Sequence, residues 1–207
     1  DFGASIDRML LTGHLWAKSK TWDPEGLVST LPAVSTLLFG VLTGHWLAAK
    51  REAAIKTVWM LLAGLLCLWA GAMMDAVFMP INKSLWTPSY SVFMTGWALI
   101  VFAAFYWLMD AVDSETLRAQ FRKVFLPFTI YGMNALFIFA FSGLVAKMMG
   151  FIKLGDPAVP FKALAYAPVK ALPLAPVNTS LIFAVLFNLA MFAVAWFMWK
   201  RKWFVKV

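Results

Sequence analysis

Residues 21–44 read TWDPEGLVSTLPAVSTLLFGVLTG. From Leu27 onward the stretch is apolar enough, and continues far enough, to cross a bilayer, which takes about 20 residues of helix. It nonetheless opens on two carboxylates, Asp23 and Glu25, and carries Ser29, Thr30, Pro32, Ser35 and Thr36 in its first half. Asp-Pro-Glu is by itself a helix start: Asp23 suits the N-cap, Pro24 the first helical position, and Glu25 the positive end of the helix dipole. That accounts for the entrance but not for the polar side chains that follow it. Ser29, Thr30 and Ser35 would be costly against lipid, so they are expected to face protein or a wet cavity. A cavity rimmed by Asp23 and Glu25 would offer a pair of carboxylates to a cation or a protonated amine.

The rest of the chain repeats the apolar pattern. Of its 207 residues 62% are apolar and 14% charged, against about 25% charged in soluble domains, and mean hydropathy is +0.78. A soluble domain of this size cannot bury that much apolar surface. Five segments have spanning length: Leu27–Ala49, Thr57–Met74, Tyr90–Met109, Val124–Met149 and Thr179–Trp199. No strand-like alternation is visible, and helices satisfy their own backbone in lipid. The expected fold is an all-α integral membrane protein, a single membrane domain with about five transmembrane helices.

The net charge of +8 would point to nucleic acid in a soluble protein. Here the basic residues cluster beside apolar runs, as the positive-inside bias predicts, and no nucleic-acid partner is expected. Lys50, Arg51 and Lys56, then Arg118, Arg122 and Lys123, then Lys200, Arg201, Lys202 and Lys206 sit in short loops or tails at helix ends. These are assigned to the cytoplasm, with a cytoplasmic tail at 200–207. Residues 1–26, 75–88 and 150–178 then form outer loops, the last with a short interfacial helix around Phe161–Ala171. Asp1 would lie outside with no initiator Met and no export signal, so the chain is expected to be the C-terminal part of a larger multi-pass bundle.

Residues able to carry chemistry concentrate on the outer side. PINKSLWTPSY (80–90) places Asn82, Lys83 and Trp86 together. Asn82 and Lys83 suit an anionic or carbonyl group, although a snorkelling lysine and an interfacial tryptophan read equally well. YGMNA (131–135) puts Asn134 inside an apolar helix, where it must bond another element or line a site. His14 lies in GHLW with no partner at fixed spacing, so a structural role competes with a general-base role. His45 reads as interfacial. Two histidines this far apart and one cysteine, Cys67, make no metal site. Gly40 and Gly44 form a GxxxG, read as helix packing.

FGASIDRMLLTGHLW, TWDPEGLVSTLPAVSTLLFGVLTG, PINKSLWTPSY, YGMNAL and the closing KRKWFVKV occur in one order. Together they resemble the C-terminal half of the heparan-α-glucosaminide N-acetyltransferase family, including its bacterial relatives. The resemblance is weakest between about residues 150 and 178. It implies a multi-pass acetyltransferase of a bacterial inner membrane that takes acetyl from acetyl-CoA and delivers it to the amino group of a glucosamine-type sugar or polysaccharide outside the cytoplasm. The family's active-site histidine lies upstream of everything in this chain, so neither His14 nor His45 inherits it and the chain alone is expected to be inactive. Within that frame Glu25 and Asp23 are the candidate catalytic carboxylates. His14, Asn82, Lys83, Trp86 and Asn134 are candidate substrate- or donor-binding residues. A sugar O-acyltransferase, a transporter and a non-catalytic scaffold remain the alternatives, and the oligomeric state stays open, a homo-oligomer included.

Overall fold

In the computed structural model, which describes residues 2–205, the chain divides into two compact units, one up to Phe121 and one from Arg122. The first holds α1 (Phe2–Leu10), α2 (Leu27–Ala48), α3 (Ala53–Val77) and α4 (Pro88–Tyr106), which runs into a single π-helical turn at Trp107–Ala111. The division falls inside α5 (Glu115–Val124). The second unit holds α6 (Leu126–Gly132), α7 (Ala135–Phe151), a short antiparallel hairpin of β1 (Lys153–Leu154) and β2 (Val159–Pro160), α8 (Phe161–Lys170) and α9 (Pro176–Lys200).

The first unit is organised by the contact of α3 with α4, and three glycines make that contact possible. A Cβ on Gly96 would lie 2.7 Å from the Leu68 nitrogen and 2.8 Å from the Gly64 carbonyl oxygen. One on Gly71 would lie 2.7 Å from Cβ of Phe93. With no side chains there, the two backbones meet directly, which is how helices associate where lipid removes the hydrophobic drive. Gly40 and Gly44 do not take part: nothing lies within 4 Å of a Cβ built at either. The GxxxG expected to pack helices is therefore unused in this unit.

Helix α2 meets α4 through hydroxyls. Thr36 Oγ1 and Ser91 Oγ are 2.6 Å apart, and both lie within hydrogen-bond reach of the Pro32 carbonyl, at 3.0 and 3.1 Å. Ser91 is almost fully buried. Three other hydroxyls of α2 are satisfied by carbonyls three or four residues back in the chain. Ser29 and Thr30 donate to the Gly26 carbonyl and Ser35 to the Leu31 carbonyl. Ser35 is exposed, so it needs neither the protein wall nor the cavity expected for it, because its own helix supplies the acceptor.

The second unit packs Ile130, Ile138, Met191, Ala195 and Met198 into its core. The span expected over Val124–Met149 is broken here: α6 and α7 meet at 79°. Asn134 sits at the break, 2% exposed. Its Nδ2 donates to the Trp203 carbonyl at 3.0 Å, and its Oδ1 accepts the Val205 amide at 2.9 Å. The side chain thus binds the C-terminal tail rather than the next turn of its own helix.

Among the described residues, four helices are long and apolar enough to cross a membrane: α2, α3, α4 with its π turn, and α9. The bent α6–α7 pair makes a fifth if it crosses as one span. The chain is an all-α, multi-pass membrane protein.

Candidate functional site

The start of α2 is built differently from the Asp-Pro-Glu reading. The helix begins at Leu27, its N-cap is Gly26, and no acidic residue lies in its first turn. The capping oxygen comes from another helix: Oδ1 of Asp7, on α1, accepts the Leu27 N–H at 3.0 Å. Asp7 is 3% exposed. Its carboxylate fills the space where residue 26 would carry a side chain, since a Cβ on Gly26 would fall 2.0 Å from Asp7 Oδ2. Asp7 is the residue that sequence reasoning missed. The available signal was a lone acid in the apolar helical stretch FGASIDRML, paired with a helix whose own N-cap has no side chain.

Asp23 is displaced from the N-cap into the preceding turn. Its Oδ1 accepts the Glu25 N–H and its Oδ2 the Trp16 N–H, both at 2.9 Å. Both oxygens are occupied in fixing the loop. Glu25 is exposed, and its carboxylate has no hydrogen-bond or ion-pair partner among the described residues.

The facing wall is the loop between α3 and α4. Thr87 organises it: the Thr87 hydroxyl donates to the Pro80 carbonyl and accepts the Asn82 N–H, both at 3.0 Å, and also caps α4 by accepting the Tyr90 N–H. The Asn82 Oδ1 accepts the N–H groups of Ser84 and Leu85, at 2.9 and 3.2 Å. That leaves Lys83 projecting from the loop, exposed and without a partner among the described residues.

Trp86 stands between the two walls. Its φ of +46° lies in the left-handed region, which is strained for a bulky residue by about 1–3 kcal/mol. Two contacts hold it there. The indole N–H donates to Thr36 Oγ1 at 3.2 Å, and the ring meets Tyr90 edge-on with centroids 5.2 Å apart. Trp86 and Ser29 border two cavities. One, of about 560 Å³, is lined by Asp7, Asp23 and Asn82 among others. The other, of about 650 Å³, is lined by Glu25, Thr30, Lys83 and Ser84. The second holds one free carboxylate, one free ammonium and an aromatic ring among the described residues. No ion pair joins Glu25 to Lys83.

Of the residues singled out in the sequence, the structure brings Asp23, Glu25, Asn82, Lys83 and Trp86 together around these two cavities. His14 is exposed and lines neither of them. Asn134 belongs to the second unit, where both polar atoms of its side chain are bonded to the tail.

The chain is 25% identical over 150 residues to the heparan-alpha-glucosaminide N-acetyltransferase of Homo sapiens, a match covering 65% of this chain and 21% of that protein. Against the Mus musculus protein of the same name it is 27% identical over 150 residues, covering 65% and 22%. The chain is a distant, partial homologue of these acetyltransferases. No family model matches it. It spans little more than a fifth of the length of the curated relatives it matches.

The Asp7–Gly26 contact gives a direct test of how the site is held. Asp7→Ala leaves the Leu27 N–H, at the start of α2, without its acceptor and should cost about 0.5–2 kcal/mol, as the loss of a helix cap does. Gly26→Ala should be destabilising as well, because its methyl group and the Asp7 carboxylate claim the same space. Asp7→Asn keeps an acceptor oxygen and should melt closer to wild type. Thermal melting of the purified variants measures this, and an unchanged midpoint for Asp7→Ala would remove Asp7 from the cap.

Proposed function

We propose that this chain forms part of a membrane acetyltransferase that moves acetyl from acetyl-CoA to the amino group of a glucosamine-type sugar on the non-cytoplasmic side. The observation that carries the reading is the cleft holding Glu25, Lys83 and Trp86, in which both charges are unspent. The distant homology supplies the reaction class.

The cleft suits the acceptor. The Trp86 ring offers an apolar face against which a pyranose ring can lie. Glu25 attracts the sugar ammonium and takes one of its protons, which leaves the amine lone pair free. That lone pair attacks the acetyl carbonyl carbon. The C–N bond forms, the bond to the leaving group breaks, and the nitrogen sheds a second proton as it becomes an amide; of the two protons released, one goes to the departing thiolate and the other to solvent. Lys83, on the facing wall, suits an anionic substituent on the acceptor. The cleft is a poor match for the donor, because one lysine faces what would be several phosphates. No step at the donor's nucleotide end is assigned to this cleft.

A transporter reading takes support from the broken α6–α7 pair, since discontinuous helices form substrate sites in transporters. The polar side chain at that break is already bonded on both sides, which favours the enzyme.

The test supplies radiolabelled acetyl-CoA and a glucosamine-terminated oligosaccharide to the intact protein in liposomes. An acetylated amine is the expected product. Ester product alone would move the assignment to O-acylation, and absence of transfer to either group would discard the enzyme reading.

A further inference from the structure

At the opposite end of the first unit, α2 and α3 are tied close to the loop that joins them. The Trp46 indole N–H donates to the Lys56 carbonyl at 3.2 Å, and Lys56 Nζ donates to the Leu47 carbonyl at 2.6 Å. The hydroxyl contact of α2 with α4 lies toward the other end of the helix, at Pro32 and Thr36. Between these two attachments lies a cleft of about 750 Å³, with Leu42, Trp46, Arg51, Trp59, Ala63 and Cys67 in its walls. Its wall along α3 extends from Ile55 to Cys67, about 18 Å at 1.5 Å per residue. That suits an acyl chain laid along the helix.

The polarity of the cleft is one-sided. Its two threonines spend their hydroxyls on their own helices, Thr43 on the Phe39 carbonyl and Thr95 on the Ser91 carbonyl, both at 2.8 Å. Arg51 is the one charged residue in the lining, and it sits at the loop end. Its guanidinium has no hydrogen-bond or ion-pair partner among the described residues. Lys56, the other nearby cation of α3, is already engaged at Leu47. The flank beside the cleft faces outward, with Leu38, Leu42 and Trp59 all more than half exposed. In a bilayer that flank is in reach of lipid.

We propose that this cleft is a binding site for an anionic phospholipid of the surrounding bilayer, with the phosphate on Arg51 and one acyl chain between α2 and α3. A long apolar slot ending in a single unpaired cation matches a ligand with a hydrocarbon tail and a phosphate head. Basic residues at the end of a span draw anionic headgroups in preference to zwitterionic ones, and Lys50 stands beside Arg51 to reinforce that preference. The assignment is independent of the acceptor cleft at the N-terminal end of α2.

The experiment uses the intact protein, delipidated in mild detergent. Melting is followed as phosphatidylglycerol or phosphatidylcholine is added at matched mole fractions, because a ligand that binds only the folded state raises the midpoint. Phosphatidylglycerol should give the larger rise and should be retained in native mass spectra. Arg51→Gln should abolish the difference between the two lipids, and Ala63→Trp, which fills the slot, should abolish the response to both. Equal responses to the two lipids, or an undiminished preference in Arg51→Gln, would overturn the proposal. An equal rise with inorganic phosphate or acetyl-CoA would assign Arg51 to a soluble anion instead. No lipid response and no retained lipid would show the slot filled by protein, which overturns it too.

Discussion

Glu25→Gln is expected to leave the protein folded while lowering acetyl transfer by a factor on the order of 10²–10⁴. The separation of the two effects follows from where the helix begins. Glu25 precedes the Gly26 N-cap, so it lies outside the first turn of α2. Even a first-turn carboxylate contributes only about 0.3–1 kcal/mol through the helix dipole. Glu25 is exposed and bonded to nothing among the described residues, so glutamine in its place disturbs no contact. What glutamine cannot do is accept a proton from an ammonium. Asp23→Asn makes the contrasting variant. Both Asp23 oxygens accept backbone N–H groups, and an amide nitrogen facing one of them should loosen the turn and lower the melting midpoint. Both variants should be made in the full-length protein, since this chain alone is expected to be inactive, and assayed for transfer and melting on the same samples. Wild-type turnover by folded Glu25→Gln would return this carboxylate to an ordinary surface role.

Gly96→Val should be among the most damaging single substitutions in the first unit, costing more than about 3 kcal/mol. Overpacking usually costs about 1–3 kcal/mol when neighbouring side chains can shift. Here the nearest atoms include the Leu68 nitrogen and the Gly64 carbonyl oxygen, which are backbone and cannot swing aside. Separating α3 from α4 would be the only relief. Gly40→Ala and Gly44→Ala, with open space at both positions, should stay within about 0.5 kcal/mol. Yield of monodisperse protein and its melting midpoint decide the matter. A stable Gly96→Val protein would mean that the α3–α4 contact does not hold the unit together.

The contrast between these glycines shows what could be read from the sequence and what could not. Long apolar runs are unambiguous, and α2 at Leu27–Ala48 and α9 at Pro176–Lys200 lie within three residues of the spans expected for them. Which glycines pack is a question of facing partners. The GxxxG of Gly40 and Gly44 has a familiar spacing but no neighbour, whereas Gly64, Gly71 and Gly96 have neighbours without that spacing. The cap of α2 was misassigned for a similar reason: Asp23 is local and has the right residue type, but the oxygen that does the work comes from Asp7, 20 positions away in the chain. The break at Asn134 was hidden by a longer separation still, since its partners are Trp203 and Val205. The grouping of TWDPEG with PINKSLW around one end was visible because both stretches are dense in polar residues beside apolar runs. The left-handed backbone of Trp86 was not visible, because nothing in the residue type announces it.

The bond between Asn134 and the tail also orders events during biosynthesis. A ribosome releases the α6–α7 stretch about 70 residues before it makes Trp203 and Val205, so for that interval a buried-side-chain amide has no permanent acceptor or donor. The kink can be locked only once residues 203–205 have been made. A message cut short after α9 would yield every apolar helix described here and still leave that amide unquenched inside a greasy environment. Residues 203–205 therefore complete a bend whose helices were laid down about 70 residues earlier.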